Sequence, residues 1–234
     1  MAMPRLIMPE WLDTLPPSDP RARASRRDLR RINSIMGHAG FFGKELPRHF
    51  ASRSPQNIVE IGSGDGEFLL TVARKLARRW PKLEVTLVDL QPAVTPDTLE
   101  AFQELGWIVD VVTADVFEWV SRCEAVDIII ANLFLHHFHD EPLAGLFQQL
   151  SSRTRVFGAC EPRRSAAALA ASRSLALIGC NDVTRHDGPV SVQAGFSGVE
   201  LSALWPSSGG WQLDEAKHGF FSHGFVATRA TRPA

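Results

Sequence analysis

Ile58-Val59-Glu60-Ile61-Gly62-Ser63-Gly64-Asp65-Gly66-Glu67-Phe68 decides how the rest of this chain is read. It begins as a short apolar run and breaks into three glycines at alternate positions. Phe68, Leu69, Val72, Ala73 and Leu76 then recur at helical spacing, so the order is strand, tight loop, helix. Glycines in such a loop clear side chains from the backbone and let a ligand approach it. The helix that follows aims its free N–H groups at the same spot. The expected product is a nucleotide-sized crevice at the carboxyl end of a strand. The same spacing also fits an ordinary strand-to-helix turn, so the strand ends downstream must carry the argument.

The next strand, residues 83–89, ends in Asp89, where dinucleotide-binding folds place an acid that accepts hydrogen bonds from ribose hydroxyls. A third strand, 108–113, stops at Ala114-Asp115-Val116, and a fourth, 126–131, stops at Asn132-Leu133-Phe134-Leu135-His136-His137. All four strands end in polar residues. Parallel α/β sheets place their sites at that edge, so the fold class is α/β with helices on both faces of a mostly parallel sheet. Residues 211–216 and 220–228 read as two closing strands, an antiparallel pair.

At these motifs the chain resembles the class I S-adenosylmethionine-dependent methyltransferases, over about residues 50–230. The matching stretches are Glu60 to Gly66, Val88-Asp89-Leu90, Ala114-Asp115-Val116 and Ile130-Ala131-Asn132-Leu133, in the family's order. The resemblance implies a Rossmann-like sheet with an antiparallel closing strand and S-adenosyl-L-methionine as cofactor. Glu60, Gly62, Ser63 and Gly64 would line its methionine part. Asp89, with Leu90 beside it, would hold the ribose. Asp115 would face the adenine amino group with Val116 packed nearby, and Asn132 and Leu133 would sit beside the sulfonium. Leu29-Arg30-Arg31-Ile32-Asn33, Leu135-His136-His137-Phe138 and Arg185 to Val192 are similar, more narrowly, to bacterial methyltransferases of polyketide and phenolic-lipid pathways and to quinone-type O-methylases.

The chain has 234 residues and a net charge of −1, which fits one α/β domain with an N-terminal addition and disfavours a nucleic-acid partner. We expect residues 1–54 to form an N-terminal extension and helical lid, and 55–234 the cofactor-binding domain. Three scattered cysteines suit a reducing cytoplasm. The start lacks a sustained apolar stretch, and no run is long enough to span a bilayer. A homodimer is left open.

Residues 1–20 are proline-rich and read as an extended lead-in with Trp11 and Leu12 packed down. Residues 21–36 carry six arginines, with Leu29, Ile32, Ile35 and Met36 on one helical face. Those arginines suit either a solvated face or an anionic partner. The glycines of 37–43 should break this helix, and a second should run from 44 to 51. In the resembled families such helices cover the cofactor, so Phe41 and Phe42 are candidates for the substrate-binding lid, with core packing as the alternative. Thr95 and Asp140 read as helix caps. Residues 165–180 should form a largely buried helix, 181–189 a loop, and 191–205 a helix interrupted at Gly195 and Gly198.

Methyl transfer to a hydroxyl requires alignment of the reacting atoms and a group that takes a proton near neutrality. Histidine has a suitable pKa. His137, then His136, follow the fourth strand beside the expected sulfonium and are the candidate bases, although either can be structural. His186, with Asp187 beside it, is a third. His137, His139 and Asp140 are too local to complete a metal-ligand set without distant partners, so no metal is expected. The expected activity is O-methylation of a small aromatic or polyketide-like metabolite. Transfer to carbon or nitrogen, and a non-catalytic cofactor-binding protein, are the alternatives. A nicotinamide-dependent reductase fits poorly with the glycine spacing, Asp115 and the closing strand pair.

Overall fold

Seven strands form one sheet in this computed structural model, which describes residues 3–50 and 53–229. They are β1 (Asn57–Ile61), β2 (Leu83–Asp89), β3 (Trp107–Thr113), β4 (Val126–Asn132), β5 (Thr154–Pro162), β6 (Trp211–His218) and β7 (Ser222–Arg229). Their order is β3-β2-β1-β4-β5-β7-β6. The first five are parallel, and β7 runs antiparallel to both β5 and β6. The order reverses between β1 and β4, which opens a crevice at their carboxyl ends.

Alternation along the strands divides the core in two. Ile58, Val85, Ile128 and Ile130 face α4 (Glu67–Leu76) and α5 (Pro96–Glu104). Val59, Ile61, Ile129 and Ala131 face α6 (Val116–Arg122) and α7 (Asp140–Arg153). Phe68, Leu69, Val72, Ala73 and Leu76 are all buried, as their spacing predicts. Thr95 caps α5 by accepting from the Thr98 N–H. Asp140 does not cap α7: His139 holds that position, and Asp140 pairs with Arg5 at 2.6 Å.

The N-terminal region departs most from expectation. A short helix, α1 (Trp11–Thr14), precedes α2 (Pro20–Met36) and α3 (His38–Glu45). Trp11 packs one face against the His186 ring but remains 44% exposed. Gly37 adopts a left-handed conformation (φ 73°) and turns α2 directly into α3, so the glycines do not form an open loop. A 3-10 turn, Leu46–His49, follows, and the expected end of that helix at Ala51 lies outside the described residues, as do Met1 and Ala2. Phe41 and Phe42 lie on the sheet and not on a pocket lid. A Cβ on Gly224 would stand 2.9 Å from the Phe41 ring, and one on Gly158 would stand 2.9 Å from Phe42. The two strand glycines thus leave a groove for the rings. Phe42 is fully buried there, a burial of about 1.5–3 kcal/mol.

After β5 the chain forms α8 (Ala166–Ser172), α9 (Asp182–Ala194) and α10 (Glu200–Leu204). The stretch 165–180 is not one buried helix: α8 buries only Ala168 and Ser172, and Leu177 is 87% exposed. The expected loop at 181–189 is the first half of α9. Asn181 caps it by accepting from the Thr184 N–H. Pro189 is tolerated because tertiary packing outweighs one lost hydrogen bond: Gly188 sits against Leu175, and α9 packs against α1, α2 and α8. The interruption expected at Gly195 and Gly198 is present: α9 ends at Ala194 and α10 begins at Glu200, and a Cβ on Gly195 would stand 2.1 Å from the Pro162 carbonyl oxygen. No helix among the described residues is long and apolar enough to cross a membrane.

Candidate active site

A cavity of about 640 Å³ opens where β1, β2 and β4 end, roofed by α2, α8 and α9. Glu60, Gly62, Ser63, Gly64, Asp89, Leu90, Asn132, Leu133, His136 and His137 all line it. Local geometry explains the loop. Gly62 has φ 68°, and a Cβ there would meet the Phe134 ring at 2.1 Å, so glycine is required. The Ser63 N–H donates to Val88 O (3.1 Å) and the Gly64 N–H donates to Asp89 Oδ2 (2.7 Å), which ties the loop to β2. Asp89 Oδ1 accepts from the Gln91 N–H. Leu133 has φ 52°, a strained conformation for leucine of a kind that clusters at functional sites.

Two buried polar atoms of the cavity wall, Glu60 Oε2 and Ser63 Oγ, have no hydrogen-bond partner. Burial pushes the Glu60 carboxyl well above the usual carboxylate range. Such orphaned groups are uncommon in interiors and call for a ligand with complementary polarity. An ammonium group and a carboxyl carried by one ligand meet that need, so the residues present fit the amino-acid end of S-adenosylmethionine.

Asp115 closes β3 as expected, but its carboxylate caps α6 by accepting from the Phe117 N–H (2.7 Å). Neither it nor Val116, which is buried in the core, lines the cavity.

The histidines separate by environment. His136 is buried. Its Nδ1 donates to Glu161 Oε2 (2.7 Å) and its Nε2 to Glu10 Oε1 (3.3 Å). Burial favours the neutral ring, but the hydrogen bonds and charges of Glu10 and Glu161 outweigh it and raise the pKa to about 10. At neutral pH His136 is therefore an imidazolium with no free lone pair, which removes it as a base. Glu161 also accepts from the Phe134 and Leu135 N–H groups, so the triad clamps the end of β4. Glu10, His136 and His137 present ligand-type atoms within 4.8 Å of one another, but a metal ion there would have to displace the proton shared by Glu10 and His136.

His186 does not line the cavity. Its ring stacks on Trp11 (centroids 3.9 Å apart) and its Nδ1 lies 2.7 Å from Asp187 Oδ1. Asp187 also accepts from the Trp11 and Leu12 N–H groups. The pair is a clasp for the N-terminal arm, not a base at the site. His137 alone of the three is on the cavity wall without a partner on both ring nitrogens: its Nδ1 is 3.3 Å from Asp13 Oδ2.

Several site residues carry no local sequence signal. Glu10, Asp13, Asn33 and His38 come from the N-terminal region. Two of the α2 arginines serve the site: Arg30 pairs with Asp65 of the glycine loop (2.6 Å), and Arg26 donates to Gln91 beside Asp89 (2.9 Å). Glu161 could have been found by extending the pattern of polar strand ends to the fifth strand.

Comparison with known proteins gives the same picture of the domain. Residues 58–158 match the family described as "Methyltransferase domain". Over 108 residues the chain is 31% identical to trans-aconitate 2-methyltransferase of Rhodococcus jostii (strain RHA1), a match covering 46% of this chain and 38% of that relative. The chain therefore spans well under two thirds of that relative's length. Among solved structures, the plantazolicin methyltransferase BpumL in complex with a monoazolic desmethylPZN analog and SAH is similar at TM-score 0.65 and 15% identity, covering 91% of this chain and 92% of that one. The mitomycin 7-O-methyltransferase MmcR is similar at TM-score 0.60 and 18% identity, covering 94% and 60%. At these identities the structural likeness establishes the fold.

Proposed function

We propose that the chain is a class I S-adenosylmethionine-dependent methyltransferase, a reading supported by the methyltransferase-domain match over residues 58–158 and by the fold, and that it methylates a hydroxyl of a small, largely apolar aromatic or polyketide-like molecule. One observation carries the reading. The cavity that contains the glycine loop and the orphaned Glu60 and Ser63 continues without a wall to His137. Its far side is apolar, formed by Leu29, Ile32, Met36, Leu175, Val192 and Phe221.

When bound, S-adenosylmethionine supplies a methyl group on a positively charged sulfur. In this reading Glu60 and Ser63 receive its amino-acid end, Asp89 accepts from its ribose hydroxyls, and Asn132 and Leu133 flank the reacting centre. His137 takes the hydroxyl proton, with Asp13 orienting the ring. A phenol is acidic enough for a neutral imidazole to assist. The apolar roof keeps water from the reacting atoms.

A small polycarboxylate acceptor, as the name of the Rhodococcus relative indicates for that protein, needs cations to receive it. The two arginines on this wall are already engaged with Asp65 and Gln91. That favours a neutral acceptor.

The test is a panel of hydroxylated aromatics incubated with labelled cofactor, with the product mapped by mass spectrometry. O-methylation supports the proposal. Label on carbon or nitrogen moves the reaction to those atoms. Tight cofactor binding with no product across the panel leaves a non-catalytic binding protein.

A further inference from the structure

A chain of hydrogen bonds runs from β7 past the end of β4 to α2, and the reaction proposed above uses only Asn132 of it. His38, at the start of α3, is fully buried. Its Nδ1 lies 2.6 Å from Asn132 Oδ1 and its Nε2 2.7 Å from Ser222 Oγ of β7. Asn132 Nδ2 in turn donates to Asn33 Oδ1 of α2 (3.2 Å). Burial pushes the His38 pKa down to about 4, so the ring is neutral, and one arrangement pairs both ring nitrogens and the Ser222 hydroxyl hydrogen. Nδ1–H donates to Asn132, and Nε2 accepts from the Ser222 hydroxyl. The Asn132 amide then presents its NH2 edge to Asn33, and Asn33 presents its oxygen to Asn132.

This leaves the Asn33 Nδ2 group, on the cavity wall, with no acceptor among the described residues. Several other polar side chains of the cavity wall are paired. Ser25 and Thr184 bond to each other (2.9 Å), Arg30 bonds Asp65, and Ser191 bonds Glu10. An amide donor on an apolar wall, one residue from Ile32, suits a single neutral oxygen. We propose that Asn33 is the acceptor-binding residue of this cavity, donating from Nδ2 to the hydroxyl oxygen that is methylated. His38 is the positioning residue that holds Asn33 in that orientation through Asn132. The inference rests on the methyltransferase reading and deepens it.

A hydrogen-bond donor that a bound ligand covers discriminates against a ligand that lacks the oxygen, because covering the donor without an acceptor leaves it unpaired. The test compares 2-naphthol with naphthalene, titrated into the full chain saturated with S-adenosylhomocysteine and followed by calorimetry. The wild-type protein should prefer 2-naphthol by about tenfold or more. Asn33→Leu should bind naphthalene as well as the wild type does and lose the preference. His38→Leu should lose most of the preference, and His38→Gln, which keeps a donor toward Asn132, should regain part of it. Asn33 is on the half-exposed lid helix, so Asn33→Leu remains informative if His38→Leu fails to fold. No preference in the wild type, including no binding of either probe, or a preference that survives in Asn33→Leu, overturns the proposal. Cofactor titration separates the two levels: binding of S-adenosylhomocysteine with no naphthol preference defeats this inference alone, and failure to bind it defeats the reading beneath.

Discussion

His136 Nδ1 lies 2.7 Å from Glu161 Oε2, with both groups buried at the end of β4 and β5. Glu10 from the N-terminal arm closes the other side of the ring. An imidazolium held between two carboxylates is costly to disrupt, because removing the ring leaves uncompensated charge. We expect His136→Leu to destabilise the protein by about 3–5 kcal/mol in urea denaturation. A loss under 1 kcal/mol would show that the triad is not ionised as described.

The same triad sets a pH dependence. The folded pKa of His136, about 10, is above its ordinary value of about 6.5. Its contribution is therefore complete below pH 6.5 and is lost as pH rises toward 10. Burial alone would raise Glu10 and Glu161, but hydrogen bonds from His136 hold both below the usual carboxylate range. Their contribution is complete above their ordinary pKa and is lost as pH falls through the depressed one. Melting temperature should form a plateau between about pH 5 and 6.5 and decline on both sides. In His136→Leu the alkaline decline should flatten.

Glu60 should show opposite effects on stability and binding. Its carboxyl is buried with one oxygen unpartnered, and its pKa is raised by burial. Its folded pKa lies above the unfolded one, so ionisation destabilises the cofactor-free protein as pH rises through it. Glu60→Gln should therefore raise the melting temperature of the cofactor-free protein at pH 8 and weaken S-adenosylmethionine binding by about tenfold or more. Wild-type binding should release a proton, visible as a dependence of calorimetric heat on the buffer's ionisation enthalpy. Heats that do not vary with buffer would count against an ionising Glu60.

Asp89→Ala should weaken cofactor binding by roughly 1–3 kcal/mol. Part of that loss comes from the glycine loop itself, since Asp89 Oδ2 accepts the Gly64 N–H. Unchanged affinity by calorimetry would remove Asp89 from the site.

His137→Ala should slow turnover about 100-fold or more with a hydroxyl acceptor. Asp13→Asn should slow it less, because Asp13 is over half exposed and its contact with His137 is solvent-screened. Wild-type turnover in His137→Ala would clear it of proton transfer.

Contiguous residues determined the sheet and the cofactor edge. Three glycines between an apolar run and a helical stripe form a strand-loop-helix unit whatever surrounds them, and the acids and amide at 89, 115 and 132 follow from where each strand must stop. Local signals failed at α9, where Gly188-Pro189 reads as a break and packing against three helices overrides it. They failed again at Phe41 and Phe42, whose place depends on glycines in β5 and β7. The working chemistry of the site was decided only by tertiary structure. Glu10 reaches His136 across 126 residues, His38 reaches Asn132 across 94 and Ser222 across 184. A side chain's charge and orientation depend on which groups surround it once water is excluded. Neighbours in the sequence say which strand end His136 occupies, but only the fold brings the two carboxylates that make it a cation.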